Sequence, residues 1–237
     1  MDKNIKLQAA CKEEYYIFEE QQLGHSGFNL NWIQEFIGTP KTIIEFGSFD
    51  GGDGLRYKLA YPNCDIYSIE ADPQLYEKIK KFEKYGLKVF NYAICDKNGE
   101  IDFNRCRFKW FFDGYNIDDI SGSGSILKQS QYNKEVIIHQ YYETQPITVP
   151  ASTIGTFCDN NNIKEIDLMH IDVEGALKEV LNGFDKIRPK VLFMELDGAT
   201  KYYEGASEFD IINYKLENME YELIYRGVVD SLYVKKT

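Results

Sequence analysis

Thr42-Ile43-Ile44-Glu45-Phe46-Gly47-Ser48-Phe49-Asp50-Gly51-Gly52-Asp53-Gly54 decides how this chain is read. A short apolar run of β-branched residues breaks into glycine and aspartate and then into a helical pattern. That order predicts the first strand of an open α/β sheet, a nucleotide-binding turn and the N-terminus of a helix. Glycines at 47 and 51 allow positive φ and leave out the Cβ that would hold a bound nucleoside off the backbone.

The charges of the turn argue against a dinucleotide. A pyrophosphate site spaces its glycines G-x-G-x-x-G and turns bare amides toward the phosphates. Here the spacing is E-x-G-x-x-x-G, with Glu45 at the strand end and Asp50 and Asp53 near the helix start. Those carboxylates suit the helix dipole and repel phosphate. They would attract the ammonium and sulfonium of S-adenosylmethionine, which carries no phosphate. Glu45, Gly47, Ser48, Asp50, Gly51 and Asp53 are therefore the first candidates for its contacts, against the plainer reading of a glycine-rich turn that binds nothing.

At 237 residues the chain suits one large α/β domain, and 18 Tyr with 15 Phe suit a lined cleft. A formal charge of −11 without a long run of like charges disfavours nucleic acid, whose affinity rests on Lys and Arg neutralising phosphates. A neutral or sugar-like substrate is easier to accept. The five cysteines lack C-x-x-C spacing, so neither a disulfide framework nor a zinc site is expected. No signal peptide and no membrane-length apolar run is found, which points to a cytoplasmic protein.

Taken in order, residues 1–27 read as a helix or an irregular arm, and Leu30, Ile33, Phe36 and Ile37 recur at helical spacing before a Gly38-Thr39-Pro40 stop. Asp65–Glu70 is the second strand. An acidic residue about 20 positions past the glycine turn can accept hydrogen bonds from both ribose hydroxyls, so Glu70 is the strongest single assignment. Pro73 opens a helix, and Leu87–Tyr92 is a third strand that leaves the sheet around Asn91 and Ala93, where an adenine would lie. Asn98-Gly99 predicts a hairpin turn, and Pro146–Pro150 an edge strand with proline at both ends.

Residues 104–142 show no clear period and read equally as a β-insertion with its own aromatic core or as a substrate lid. Ile166–Asp172 is the fourth core strand. Alternation puts His170 and Asp172 on one face, with Asp172 at the carboxyl end, where open α/β sheets carry their chemistry. Lys190–Glu195 is the fifth strand, and residues 221–225 and 231–234 are two strands joined around Gly227. The candidates for a general base are Asp172, His170 and Glu195, while capping is the expected role of Glu174. His170 reads equally as a buried, hydrogen-bonded core residue. Asp172, Glu174 and Glu195 offer oxygens that could gather round a divalent cation, yet no ligand spacing compels one and no metal is assigned.

With these pieces assembled, the chain resembles the FkbM-like family of class I S-adenosylmethionine-dependent methyltransferases. The matching stretches are Ile44–Gly51, Ser68-Ile69-Glu70-Ala71-Asp72-Pro73, Asn91–Gly99, Gly124-Ser125-Ile126-Leu127, His170–Ala176 and Phe193-Met194-Glu195-Leu196. The resemblance implies an α/β, Rossmann-like fold: a seven-stranded, mostly parallel sheet with an antiparallel C-terminal strand and helices on both faces. It implies methyl transfer to a hydroxyl oxygen of a sugar, glycan precursor or other small molecule. Carried over by position, the resemblance implies that Glu45 and Gly47 hold the methionine end, Glu70 the ribose, Ala93 with its neighbours the adenine side, and Asp172 the meeting point of donor and acceptor, with Ala71, Asn91 and Ser125 as further cofactor-binding candidates. The family often has lysine where this chain has His170. Residues 1–40 are expected to form a helical extension over the cleft and 41–237 the methyltransferase domain. Homo-oligomerisation is left open. The competing readings are a non-catalytic nucleoside-binding subunit on the same fold and an NAD-dependent oxidoreductase.

Overall fold

The structure, a computed structural model, describes residues 27–112, 115–132, 140–196 and 199–236. Its elements run α1 (Asn31–Phe36), β1 (Thr42–Phe46), α2 (Gly52–Ala60), β2 (Asp65–Glu70), α3 (Pro73–Ile79), β3 (Leu87–Asn91), β4 (Ala93–Ile94), β5 (Gly99–Phe103), β6 (Cys106–Phe112), β7 (Tyr115–Ile120), β8 (Gln140–Tyr142) and β9 (Ile147–Ser152). They continue with α4 (Ile154–Asn160), β10 (Leu168–Ile171), α5 (Leu177–Asn182), β11 (Val191–Glu195), α6 (Ala199–Tyr202), α7 (Phe209–Asn218), β12 (Tyr221–Arg226) and β13 (Asp230–Lys235).

β1 is apolar almost throughout because both its faces are buried, as parallel strands between helix layers require. Ile44 and Phe46 enter one core with Ile69, Met169, Ile171 and Met194. Ile43 enters the other with Ile66, Leu168, Val191 and Phe193. Each such side chain contributes about 1.5–3 kcal/mol by leaving water. The seven-stranded sheet has the order β12-β13-β11-β10-β1-β2-β3. β1 is parallel to β10 and β2, and β13 runs antiparallel to β11. The expected sheet and its antiparallel closing strand are both present. The strand order reverses at β1 and β10, so a cleft opens at their carboxyl ends.

Two local expectations are corrected. Asn98-Gly99 does not join paired neighbours: β5 pairs antiparallel with β9, and β4 pairs parallel with β9. The Asn98 side chain instead accepts the Thr153 N–H at 3.0 Å and binds Thr156 Oγ1, pinning the turn to the start of α4. The strand at 146–150 is the middle strand of this small sheet and not an edge. Its proline is tolerated because β4 reaches only Ala151 and Ser152, leaving Pro150 a partner on one side alone.

The stretch 104–142 is regular in part, while residues 121–130 carry no helix or strand. β7, β6 and β8 form an antiparallel sheet in that order. α1 seats Ile33 in the core beside Phe28 and Phe193, and none of its residues lines the cleft. The rest of the expected N-terminal extension, and Cys11, lie outside the described residues. Among the described residues no helix is long and apolar enough to cross a membrane.

Candidate active site

Glu70, the last residue of β2, is fixed before any ligand arrives. Its Oε2 accepts the Phe49 N–H at 2.9 Å and its Oε1 the Asp72 N–H at 2.8 Å, so one carboxylate spans the glycine turn and the following loop. Each oxygen keeps a lone pair for an O–H donor. Burial pushes the group up to about 7, while the two amides pull the other way. Asn91 Nδ2 donates to the carbonyls of Glu70 and Ala71 at 2.8 and 2.9 Å and holds that loop. Asp72 caps α3 and takes Arg105 Nε at 2.6 Å, joining this end of the cleft to the insertion.

A cleft open to solvent lies between these loops. Gly47, Glu70, Ala71, Ala93, Ser125 and Asp172 line it among the predicted residues, with Tyr92, Ile94 and Phe103 supplying apolar surface suited to a base. Ser48, Asp50 and Gly51 stand behind the wall: Ser48 Oγ donates to the Ile69 carbonyl, and Asp50 accepts the Gly52 N–H at 2.8 Å. The glycines answer to the protein's own packing. A Cβ on Gly47, whose φ is +74, would stand 1.7 Å from the Asp172 carbonyl oxygen, and one on Gly51 would meet the Phe82 ring. Both glycines take the expected positive φ, and their missing Cβ atoms also serve the protein's own packing. Gly47 lets the glycine turn touch the loop that carries Asp172.

Beneath the turn, Glu45 accepts the Ser68 Oγ–H at 2.9 Å and is almost fully buried. Burial and the neighbouring Asp53 push it up to about 8. Asp53 Oδ1 is buried without a hydrogen-bond partner, although Arg56 Nη2 forms an ion pair with it at 3.1 Å. Glu45 and Asp53 are neighbouring buried carboxylates, neither of which lines the cleft, and their negative field suits a positively charged guest such as S-adenosylmethionine, with its ammonium and sulfonium.

At the carboxyl ends of β10 and β11, Asp172, Glu174 and Glu195 each place an oxygen within 4.8 Å of the others. Burial and the facing Glu195 hold Asp172 well above the usual carboxylate range, and its Oδ1 is a buried atom with no hydrogen-bond partner. Glu174 is pushed up to about 8 by burial and Asp172, and Glu195 to about 7 by burial and Glu174. Tyr203 O–H donates to Glu174 Oε2 at 2.6 Å, and Ser125 Oγ–H donates to the Glu174 carbonyl at 2.8 Å. These groups read as proton-handling carboxylates.

His170 shares the strand parity of Asp172 but not its place. Its ring packs among Phe28, Tyr57 and Phe193, its Nδ1 lies 3.1 Å from the Tyr57 hydroxyl, and it does not line the cleft. Burial lowers its proton affinity, so it is a neutral core histidine beside Glu45 and Asp53. Glu174, expected from the sequence to cap a helix, makes no cap hydrogen bond and instead joins Asp172 and Glu195. Arg56, Tyr203 and Tyr142 were not legible in the sequence; the tyrosines come from distant segments.

The sequence pattern described as the Methyltransferase FkbM domain matches residues 52–223. The chain is 27% identical over 202 residues to the 2-O-methyltransferase NoeI of Sinorhizobium fredii, covering 82% of this chain and 79% of that one. Among solved structures it is similar to a methyltransferase from Geobacter sulfurreducens, with 11% identity, a TM-score of 0.46 and coverage of 100% and 91%. It is also similar to TrmK of M. capricolum in complex with S-adenosyl-homocysteine, with 11% identity, a TM-score of 0.41 and coverage of 89% and 68%. The expected sheet, the carboxylate-rich glycine turn and the family match over most of its length agree: the chain belongs to the FkbM methyltransferase family and is an S-adenosylmethionine-dependent O-methyltransferase.

Proposed function

We propose that this enzyme methylates a hydroxyl of an uncharged, hydroxyl-rich small molecule or glycan precursor, with Asp172 as the general base. The observation that carries this reading is the group of three carboxylates of which Asp172 lines a cleft whose described lining holds no Lys or Arg. An anionic acceptor would meet repulsion there, and hydroxyls would meet hydrogen-bond acceptors. The relative's 2-O-methyl transfer supports an acceptor of this kind.

S-adenosylmethionine, when bound, supplies an electrophilic methyl group on a sulfonium. The chain's own work is to hold the partners and move one proton. Glu70 accepts ribose hydroxyls, Ala71, Asn91, Ala93 and Ser125 shape the nucleoside wall, and Glu45 and Asp53 balance the positive charge. Gly47, against the Asp172 loop, brings the donor end next to the acceptor end. Alignment of this kind supplies most of the rate in a displacement. Asp172 and Glu195 share one proton through their hydrogen bond; with that proton on Glu195, the ionised Asp172 receives the acceptor's hydroxyl proton at its unpartnered oxygen. His170 takes no part in this step. No metal is assigned to these carboxylates.

Free, buried Cys64, Cys95, Cys106 and Cys158 support a reducing, cytoplasmic setting, and the acidic balance supports small-molecule partners over nucleic acid. The test is calorimetry with S-adenosylhomocysteine on wild type and Glu70→Ala, with NAD as control, followed by methyl transfer to neutral and phosphorylated sugars read by mass. Binding to NAD alone would sink the reading, as would preference for the phosphorylated acceptors. Cofactor binding without transfer to any hydroxyl would favour the non-catalytic subunit.

A further inference from the structure

Tyr203 follows α6 and is anchored by its flanks. Ser130 N–H donates to the Tyr202 carbonyl and Glu204 N–H to the Lys128 carbonyl, both at 2.8 Å. The buried ring covers Gly175, where a Cβ would stand 2.9 Å from Tyr203 Cδ2. Glu174 and Gly175 take φ of +50 and +85, a turn that swings the Glu174 side chain back under this ring. The Tyr203 hydroxyl then has three neighbours: Glu174 Oε2 at 2.6 Å, the Tyr142 hydroxyl at 3.1 Å and the Ser123 carbonyl at 3.2 Å. It owns a single proton. The short contact to a carboxylate takes that proton, because a charge-assisted bond is stronger than one to a neutral carbonyl. Tyr142 can in turn donate to Tyr203 or to the Ser123 carbonyl, 2.7 Å away.

Resting on the reading of Asp172 as the base, we infer that Tyr203 is a positioning residue: its hydroxyl, supported by Tyr142, selects Glu174 as the carboxylate that carries the negative charge, and so keeps Asp172 a strong base. Three carboxylates this close do not all ionise together; they titrate as a group, and the member with the best donor ionises first. Glu174 has a donor from outside the three carboxylates, whereas Asp172 Oδ1 has none and the Asp172–Glu195 hydrogen bond shares one proton within the pair. A charged Glu174 raises the proton affinity of that pair, and with the shared proton on Glu195 the ionised Asp172 takes the acceptor's proton more readily. The groups facing this centre are Glu195 at the end of β11, Asp230 at the start of β13, Asp53 on α2, Tyr142 of β8 and Cys106 of β6. None of these is a cation, so among the described residues no positive charge facing this centre substitutes for Tyr203. The wiring also explains why β8 of the insertion reaches the catalytic end of the sheet: Tyr142 is its delivered group.

The test is a carbon-13 carboxyl NMR titration of protein saturated with S-adenosylhomocysteine, on wild type, Tyr203→Phe and Tyr142→Phe, with Asp172→Asn and Glu174→Gln to assign signals. In Tyr203→Phe, which keeps the ring over Gly175, the midpoint of Glu174 should rise by roughly one unit while that of Asp172 falls. Tyr142→Phe should move both in the same sense by less, and it serves if Tyr203→Phe folds poorly. Midpoints unchanged in both variants would overturn the inference and leave Tyr203 a packing residue. Methyl transfer by Asp172→Asn to methyl glycosides of neutral hexoses separates the two ideas. Turnover at the wild-type rate would remove Asp172 as the base and, with it, the catalytic purpose assigned to Tyr203, while the titration would still report whether the hydroxyl places the charge.

Discussion

At the ribose end of the cleft, both oxygens of Glu70 are engaged by backbone amides, those of Phe49 and Asp72. At the acceptor end, Asp172 has a buried oxygen with no hydrogen-bond partner and two more carboxylates beside it. Glu70 is held by two turns that lie next to strand ends β1 and β2, so short-range backbone geometry suffices to aim it. The acceptor end is assembled from Asp172 and Glu174 after β10, Glu195 on β11, Tyr203 after α6 and Tyr142 on β8. Its polar groups are satisfied only in part by one another. On the function proposed above, the contrast means that the cofactor side is preorganised for recognition, whereas the acceptor side stores a proton affinity that a hydroxyl can use.

The sharpest way to break this contrast is Asp172→Asn. It should lower kcat by about 10²–10⁴-fold, the usual size of a general-base contribution, while S-adenosylhomocysteine affinity measured by calorimetry stays within about threefold. Equal losses in both would make Asp172 part of the cofactor wall and erase the division. Next in size is the buried ion pair that joins the two ends, Arg105 with Asp72. Arg105→Ala leaves Asp72 buried without its partner, so chemical denaturation should show a loss of about 3 kcal/mol. A loss under about 1 kcal/mol would mean that the insertion is only loosely tied to the cofactor side.

Glu70→Ala removes two amide acceptors and the ribose partner together; a tenfold to hundredfold weaker cofactor, about 1.4–2.8 kcal/mol, is expected by calorimetry. Unchanged affinity would refute the preorganised ribose site. The smaller effect is on pH. Glu45 has a folded-state affinity for protons raised from 4.5 to about 8, so its contribution to stability is complete below about pH 4.5 and is lost as pH rises through about 8. The cofactor-free protein should therefore melt a few degrees lower at pH 9 than at pH 6, and Glu45→Gln should flatten that slope. A wild-type slope of the opposite sign would show that Glu45 is ionised and already compensated without a guest. Chelation should change turnover less than about twofold, since proton handling accounts for the acceptor-end carboxylates; abolished activity restored by magnesium would recast them as ligands.

Much of the cofactor side was legible because its determinants are local. The Glu45-to-Gly54 stretch announces strand, turn and helix within one window, and Glu70 stands at the length of one βαβ step beyond it. The packing role of its glycines was not legible, since the atoms that exclude a Cβ at Gly47 belong to Asp172, far along the chain. For His170 the two-residue period of the strand was right and the inference from it was not. Parity names a face but not how far along that face the cleft reaches, and Phe28, Tyr57 and Phe193 close over the ring first.

By itself, then, the amino-acid order determined an open α/β sheet with a glycine turn and an acidic second-strand end, because hydrophobic period, glycine and strand-end charge act over a few residues; the seven strands followed from the family resemblance that those motifs carry. Only the tertiary structure decided that 104–142 contributes an antiparallel sheet, that the 146–150 strand is central, that His170 is core and that Glu174 with Tyr203 and Tyr142 joins Asp172. Those outcomes depend on which distant segments pack together, and on charges whose ionisation is set by neighbours that the linear order does not name.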